Sequence, residues 1–294
     1  MKPGPFRRVL LLAILCCRTV AAADGAVAAD PMPAALSQSG FVSVTTDEYL
    51  KAWVSLSNNF IDPDTRWPIC DVTIKDGKLA VVVHRPDHPK TQAWSPQTVS
   101  FSTDMSGVNH WFKKPTHMMR VGEDWLCAYA YGEFGNACWL FSKTGDKRAL
   151  LTKNQIISLA AVKGRFFTTT FDSNKYESFF SELIPGRTPQ LKPLNGLQMS
   201  SSGFLMMFPS PDKETLFLID QTQMARWNVR TGASTVLRPS DPSFAYLASD
   251  THSACEAEGR LWMGGTGFVG SIDPTAADHA IRIFVPRGWP DRAK

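Results

Sequence analysis

The sequence predicts an all-β fold: a β-propeller of about five four-stranded blades, six also being allowed, with a short N-terminal helix. Three observations predict it. A charged, glycine-containing turn recurs ahead of a short apolar run at intervals of roughly 40 to 50 residues, the period of propeller blades. Further short runs rich in Val, Ile, Phe, Trp and Thr flank each recurrence, with Gly, Pro, Asp and Asn between them, as in strands. One four-stranded unit cannot bury both of its faces, whereas stacking units in a ring buries them and protects the edges.

The chain begins with a basic head at Lys2, Arg7 and Arg8, then the apolar run Val9–Cys17, then small residues up to Ala23. That is the layout of a secretory signal over residues 1–23, and the run is too short to anchor in a bilayer. Residues 24–39, rich in Ala, Pro and Ser, read as a flexible linker. Residues 40–65 hold a short strand, Phe41–Val44, which would extend the last blade, and a helix in "TTDEYLKAWVSLSNNF". Thr45 and Glu48 have capping-box spacing, and Tyr49, Trp53 and Leu56 share one face. Such a face usually packs against its own protein, so the helix is placed on the propeller.

Residues 66–290 are the propeller. The turn-plus-strand repeat reads "KDGKLAVVV", "VGEDWLCAY", "VKGRFFTTT", "PDKETLFLI" and "EAEGRLWMG". Innermost strands precede these turns: "ICDVTI", "HMMRV", "IISLAAV", "FLMMF" and "SACEA". Third strands follow in "TQAWSP", "ACWLFSKTGD", "SFFSELIPG", "QMARWNVRTGA" and "FVGSIDPTA". Outer strands follow those in "QTVSFS", "KRALLT", "PQLKPL", "STVLRP" and "AIRIFVP". "GGTGFVG" spells G-x-G-x-x-G at Gly265, Gly267 and Gly270, but Pro274 forbids the helix that a dinucleotide fingerprint requires. Those glycines fit a hairpin turn and a close approach between blades.

The last two units carry a resemblance. "MARWNVRTGASTVLRP" and "RLWMGGTGFVGSIDP" are similar to blades of secreted propellers of the streptogramin-lyase and two-component-sensor type. The likeness is architectural, and such blades serve unrelated functions. In the lyase and lactonase propellers, polar residues on innermost strands face the central channel and do acid/base or metal work. The resemblance therefore implies His252 and Glu256 as an alternative catalytic pair.

Charge excludes some partners. The formal net charge of +4 is carried by Lys2, Arg7, Arg8 and Arg18 of the signal. The chain after Ala23 has 27 basic and 27 acidic side chains. A basic nucleic-acid footprint and a polybasic membrane patch are both missing. Four cysteines follow the signal. An even number in an exported chain points to disulfides. Cys127 and Cys138 flank one loop with parity that allows a shared sheet face. Cys70 and Cys255 lie in the first and last units, which touch in a closed ring. The expected pairs are thus Cys127–Cys138 and Cys70–Cys255.

Strong catalytic motifs are missing, and no cofactor is implied. His84 and His88 in "HRPDHP" are an alternative metal pair that lacks further ligands. One propeller face should collect the loops between blades and the loops between second and third strands. It would carry His110, Trp111, Phe112, Lys113 and Lys114, together with Tyr176, Phe244 and Tyr246. Loop aromatics and lysines suit protein or glycan recognition. The expectation is a periplasmic or secreted, non-catalytic protein that binds a protein partner. An inhibitor or immunity protein is one concrete form. A lyase- or lactonase-type enzyme and a carbohydrate-binding module are the alternatives.

Overall fold

The computed structural model describes residues 32–58, 67–84, 99–194 and 205–288. The compact unit from Ala34 onward begins with helix α1 (Ala34–Gln38), strand β1 (Phe41–Val44) and helix α2 (Thr46–Asn58). The end of the expected linker is therefore helical. Ala34, Ala35 and Leu36 are strong helix formers, and Leu36 is fully buried. The capping box at α2 is closed: the Thr45 amide and hydroxyl donate to Glu48 Oε2 at 2.7 and 2.9 Å, and the Glu48 amide donates back to Thr45 Oγ1 at 3.2 Å. Tyr49 of α2 is fully buried and meets the Phe268 ring edge-on.

Among the described residues five antiparallel sheets follow, and they make an all-β fold. The first holds β2 (Ile69–Lys75) and β3 (Lys78–His84) among the described residues; its expected third strand, in "TQAWSP", lies outside them, and residues 99–102 of the expected outer strand "QTVSFS" are not strand. The second holds β4 (His117–Val121), β5 (Asp124–Ala130), β6 (Asn136–Phe141) and β7 (Arg148–Thr152). The third holds β8 (Gln155–Val162), β9 (Arg165–Asp172), β10 (Glu177–Ile184) and β11 (Gln190–Pro193). The fourth holds β12 (Met206–Pro209), β13 (Thr215–Ile219), β14 (Met224–Asn228) and β15 (Ser234–Leu237). Helix α3 (Phe244–Ser249) leads into the fifth, β16 (Thr251–Ala257), β17 (Arg260–Gly265), β18 (Phe268–Ile272) and β19 (Ile281–Pro286). Strand β1 pairs with β19 as a fifth strand of that last sheet, from Phe41 opposite Pro286 to Val44 opposite Ile283.

The recurring charged turns explain how three of the sheets start. Asp76-Gly77, Lys163-Gly164 and Glu258-Gly259 are two-residue hairpin loops with both residues at positive φ. That is the type I′ turn, whose twist matches the twist of paired strands. Gly supplies the second position without steric strain.

Alternation then builds the core. On β13, Leu216 and Leu218 join a cluster with Phe167, Phe180 and Trp227, while Phe217 and Ile219 join one with Ala254, Leu261 and Met263. One strand thus serves the third sheet with one face and the fifth with the other, because successive side chains point to opposite faces. The second and third sheets meet in the same way, through Leu126, Ala128 and Leu140 against Ile156 and Leu159. The first sheet packs on the last: the Val72 amide donates to Ser253 Oγ at 2.9 Å, and Ile69 bridges Thr266. At Gly264 a Cβ atom would lie 2.3 Å from the Cys70 carbonyl oxygen, so only glycine admits this approach.

The cysteine pairing needs correction. Register sets Cys127 opposite Trp139 and Ala128 opposite Cys138. Cys127 therefore packs with Tyr129 and Phe141, whereas Cys138 packs on the other face with Ala128 and Leu140. One residue of offset turns the two thiols away from each other. Cys70 and Cys255 are also unbonded, and all four thiols are buried. Burial pushes the thiols of Cys70, Cys127 and Cys255 up to about 12, and that of Cys138 higher still. They are core residues without thiolate reactivity.

Candidate functional site

The sheets have two unlike ends. One carries the hairpins between first and second strands. The other carries the loops between sheets and those between second and third strands, and the sequence-expected recognition residues lie there.

The loop into the second sheet is built around buried anchors. Met105 and Phe112 are 2% and 3% exposed. Their backbones are tied together: the Met105 amide donates to the Phe112 carbonyl at 2.8 Å, and the Phe112 amide donates to the Asn109 carbonyl at 2.8 Å. Phe112 packs on Tyr129 with ring centroids 5.1 Å apart. The Tyr129 hydroxyl donates to the Thr103 carbonyl, and Tyr131 donates to the Lys114 carbonyl at 2.6 Å. Both ends of the loop are thereby fastened to β5 and the residue beyond it.

With Phe112 turned inward, Trp111 is turned outward. It is 42% exposed and lies between two rings: His110 at 4.8 Å and Phe134 at 4.6 Å. Phe134 is 49% exposed and sits in a 3-10 turn, Gly132–Phe134, between β5 and β6. The Asn109 side-chain amide donates to the Phe134 carbonyl at 2.9 Å and joins the two loops. Lys113 and Lys114 are exposed beside this three-ring stack. Tyr176, 65% exposed at positive φ, is another aromatic on a loop of this face.

Two expected binding residues are corrected. Phe112 and Phe244 are buried in the core and cannot touch a partner directly. Tyr246 is half-buried against the cluster of the fourth and fifth sheets. Phe134 was not singled out from the sequence. Its signal was its place in a second-to-third strand loop, on the same face as Trp111.

Next to this loop is a cavity of about 320 Å³. His117 opens β4 directly after the loop, Gln155 and Ile156 open β8, and Met206 opens β12. Gln221, between β13 and β14, and Ser249, ending α3, complete the rim. Sequence reading missed this site because its residues come from five separate stretches of the chain.

The alternative catalytic pair is not assembled. His252 Nε2 lies 2.9 Å from Thr266 Oγ1, while Glu256 is ion-paired to Arg226 of β14 at 2.7 Å. Four residues apart on one strand, the two side chains are separated by roughly 13 Å of backbone. His84 Nε2 pairs with Asp71 Oδ2 at 3.0 Å, and His88 lies outside the described residues. Among the described residues no group of three or more His, Cys, Asp or Glu could hold a metal ion. No helix among them is long and apolar enough to cross a membrane.

No family model matches the chain, and no curated protein matches it. Among solved structures the chain is similar to the crystal structure of a hemopexin fold protein, CP4 from cow pea. The two are 14% identical, the match covers 59% of this chain and 94% of that one, and the TM-score is 0.24.

Proposed function

We propose that this chain is an exported, non-catalytic binding protein that recognises a protein partner through the loop face of a five-bladed propeller. The observation that carries this reading is the exposed stack of His110, Trp111 and Phe134 with Lys113 and Lys114 beside it. Rigid aromatic rings held out of the core by a hydrogen-bonded loop are what interface anchors look like, since little side-chain entropy is lost when they bind. Ring closure is supported by the first sheet lying on the last and by β1 completing the last sheet from the other end of the chain. Export is supported by the charge and hydropathy pattern of residues 1–23. The lyase or lactonase alternative is weakened because Glu256 is engaged by Arg226.

The test is capture of a stoichiometric partner from periplasmic or culture extract by the chain from residue 24 onward. Trp111→Ser with Phe134→Ser should abolish capture while the melting temperature stays near that of the wild type. Lys213→Ser at the opposite end should leave capture intact. Capture that survives the double substitution would sink the reading.

A further inference from the structure

The cavity beside the aromatic loop has a different chemistry from the ring stack. Its volume, about 320 Å³, is at the small end of the roughly 300–1,000 Å³ typical of ligand sites. Ile156, Ile157, Met206 and Ala248 make it largely apolar. Its polar residues are Gln155 and Gln221, Ser249, whose hydroxyl donates to the Tyr246 carbonyl at 2.8 Å, and His117, whose Nδ1 lies 2.9 Å from Thr116 Oγ1. Among the described residues, no Asp, Glu, Lys or Arg lines it. Burial holds the His117 imidazole below the usual range, so at neutral pH it too is uncharged.

This composition selects a ligand class. An ion would be stripped of water over an apolar floor with no counter-charge, which is strongly unfavourable. A sugar would set several hydroxyls against the same floor, where they find no partner. A carboxamide offers two donors and an acceptor in one plane. Another amide answers two of these together, and an aliphatic group attached to it would cover Ile157 and Met206. We propose that this cavity binds an uncharged aliphatic amide, either free or carried on a segment that a protein partner inserts.

N-acetyl-leucinamide is the probe, titrated into the chain from residue 24 onward and followed by NMR. Saturable binding is expected, in the millimolar range for so small a ligand. N-acetyl-leucinate and leucinamide, which each add one charge, should bind at least tenfold more weakly. Ser249→Trp, a change at an exposed position of the rim, should abolish binding. Gln221→Leu should weaken it severalfold and serves as the second variant should the tryptophan disturb folding. Lys213→Ser, at the opposite end of the sheets, should leave the probe's affinity unchanged. Absence of saturable shifts in the folded chain, equal binding of the charged analogues, or binding that persists in both Ser249→Trp and Gln221→Leu would overturn the proposal. Displacement of a captured partner by the probe would assign the amide to that partner, and co-binding would assign it to a free ligand. Probe binding without any captured partner would support the cavity and sink only the partner reading.

Discussion

At the turn end of the sheets, first and second strands are commonly joined by two residues, as at Lys163-Gly164. At the loop end, the second sheet is reached through a long, internally bonded loop that carries Met105, Trp111 and Phe112. The turn end is closed by charge. Lys163 pairs with Glu214, Arg165 pairs with Glu182 at 2.7 Å and donates to the Val229 carbonyl, and Arg226 pairs with Glu256. Three of these contacts tie one sheet to the next. The loop end instead exposes rings and an uncharged cavity. The contrast teaches how recognition and stability are divided: short turns have no length with which to project side chains, whereas a long loop can bury one aromatic and present its neighbour.

Trp111 and Phe112 break or sharpen that comparison most directly. Phe112→Ala should destabilise the fold by about 3–5 kcal/mol, the cost of emptying a buried aromatic site. Trp111→Ala should cost less than about 1 kcal/mol, because the ring is partly in water, and should act on partner binding instead. Urea midpoints for the two variants decide this. Equal losses would mean that the loop is merely packed and presents nothing.

Gly264→Ala tests the junction of the first and last sheets. The added methyl meets backbone, so the strands themselves must move apart, at a cost of about 1–3 kcal/mol. A neutral substitution would show that this approach is loose. The thiols give a chemical counterpart. Cys70, Cys127, Cys138 and Cys255 should resist iodoacetamide in the native chain at pH 8, and all four should label in urea without reductant. A pair protected in urea would restore a disulfide.

The strands were legible because binary pattern and turn chemistry agree. "VKGRFFTTT" and "EAEGRLWMG" announce both a I′ turn and the strand after it, and β9 and β17 start where those turns end. Capping at Thr45 and Glu48 was equally local. What could not be read was whatever depends on which face a residue takes after a loop. Trp111 and Phe112 are adjacent and both aromatic, and only the packing of Phe112 on Tyr129 separates anchor from contact. Cys127 and Cys138 turned on a single residue of register across the Gly132–Phe134 turn. The cavity collects residues from five stretches of chain between His117 and Ser249, and no short window of sequence contains it.

The smallest expected effects lie at the turn end. Glu182 accepts two hydrogen bonds from the Arg165 guanidinium, which hold its carboxyl below the ordinary value of 4.5. A carboxyl depressed in the native state stabilises the fold above its unfolded value, and that contribution is lost as pH falls through the native value. Glu182→Gln should therefore be less stable than wild type at pH 7, and the gap should close as pH falls below about 4. Urea midpoints at pH 7 and pH 3 measure it, and a gap independent of pH would show that the pair contributes through packing alone. Lys143→Ala is the matched control. Its partner Glu123 is also held below the usual range, through the hydrogen bond from Lys143, but both side chains are mostly in water. Solvent screens that pair, so no measurable change is expected at either pH. A sizeable loss there would mean that charge shared between two exposed turns matters as much as charge held between two paired strands, and the assignment of the turn end's stability to its shielded pairs would have to be abandoned.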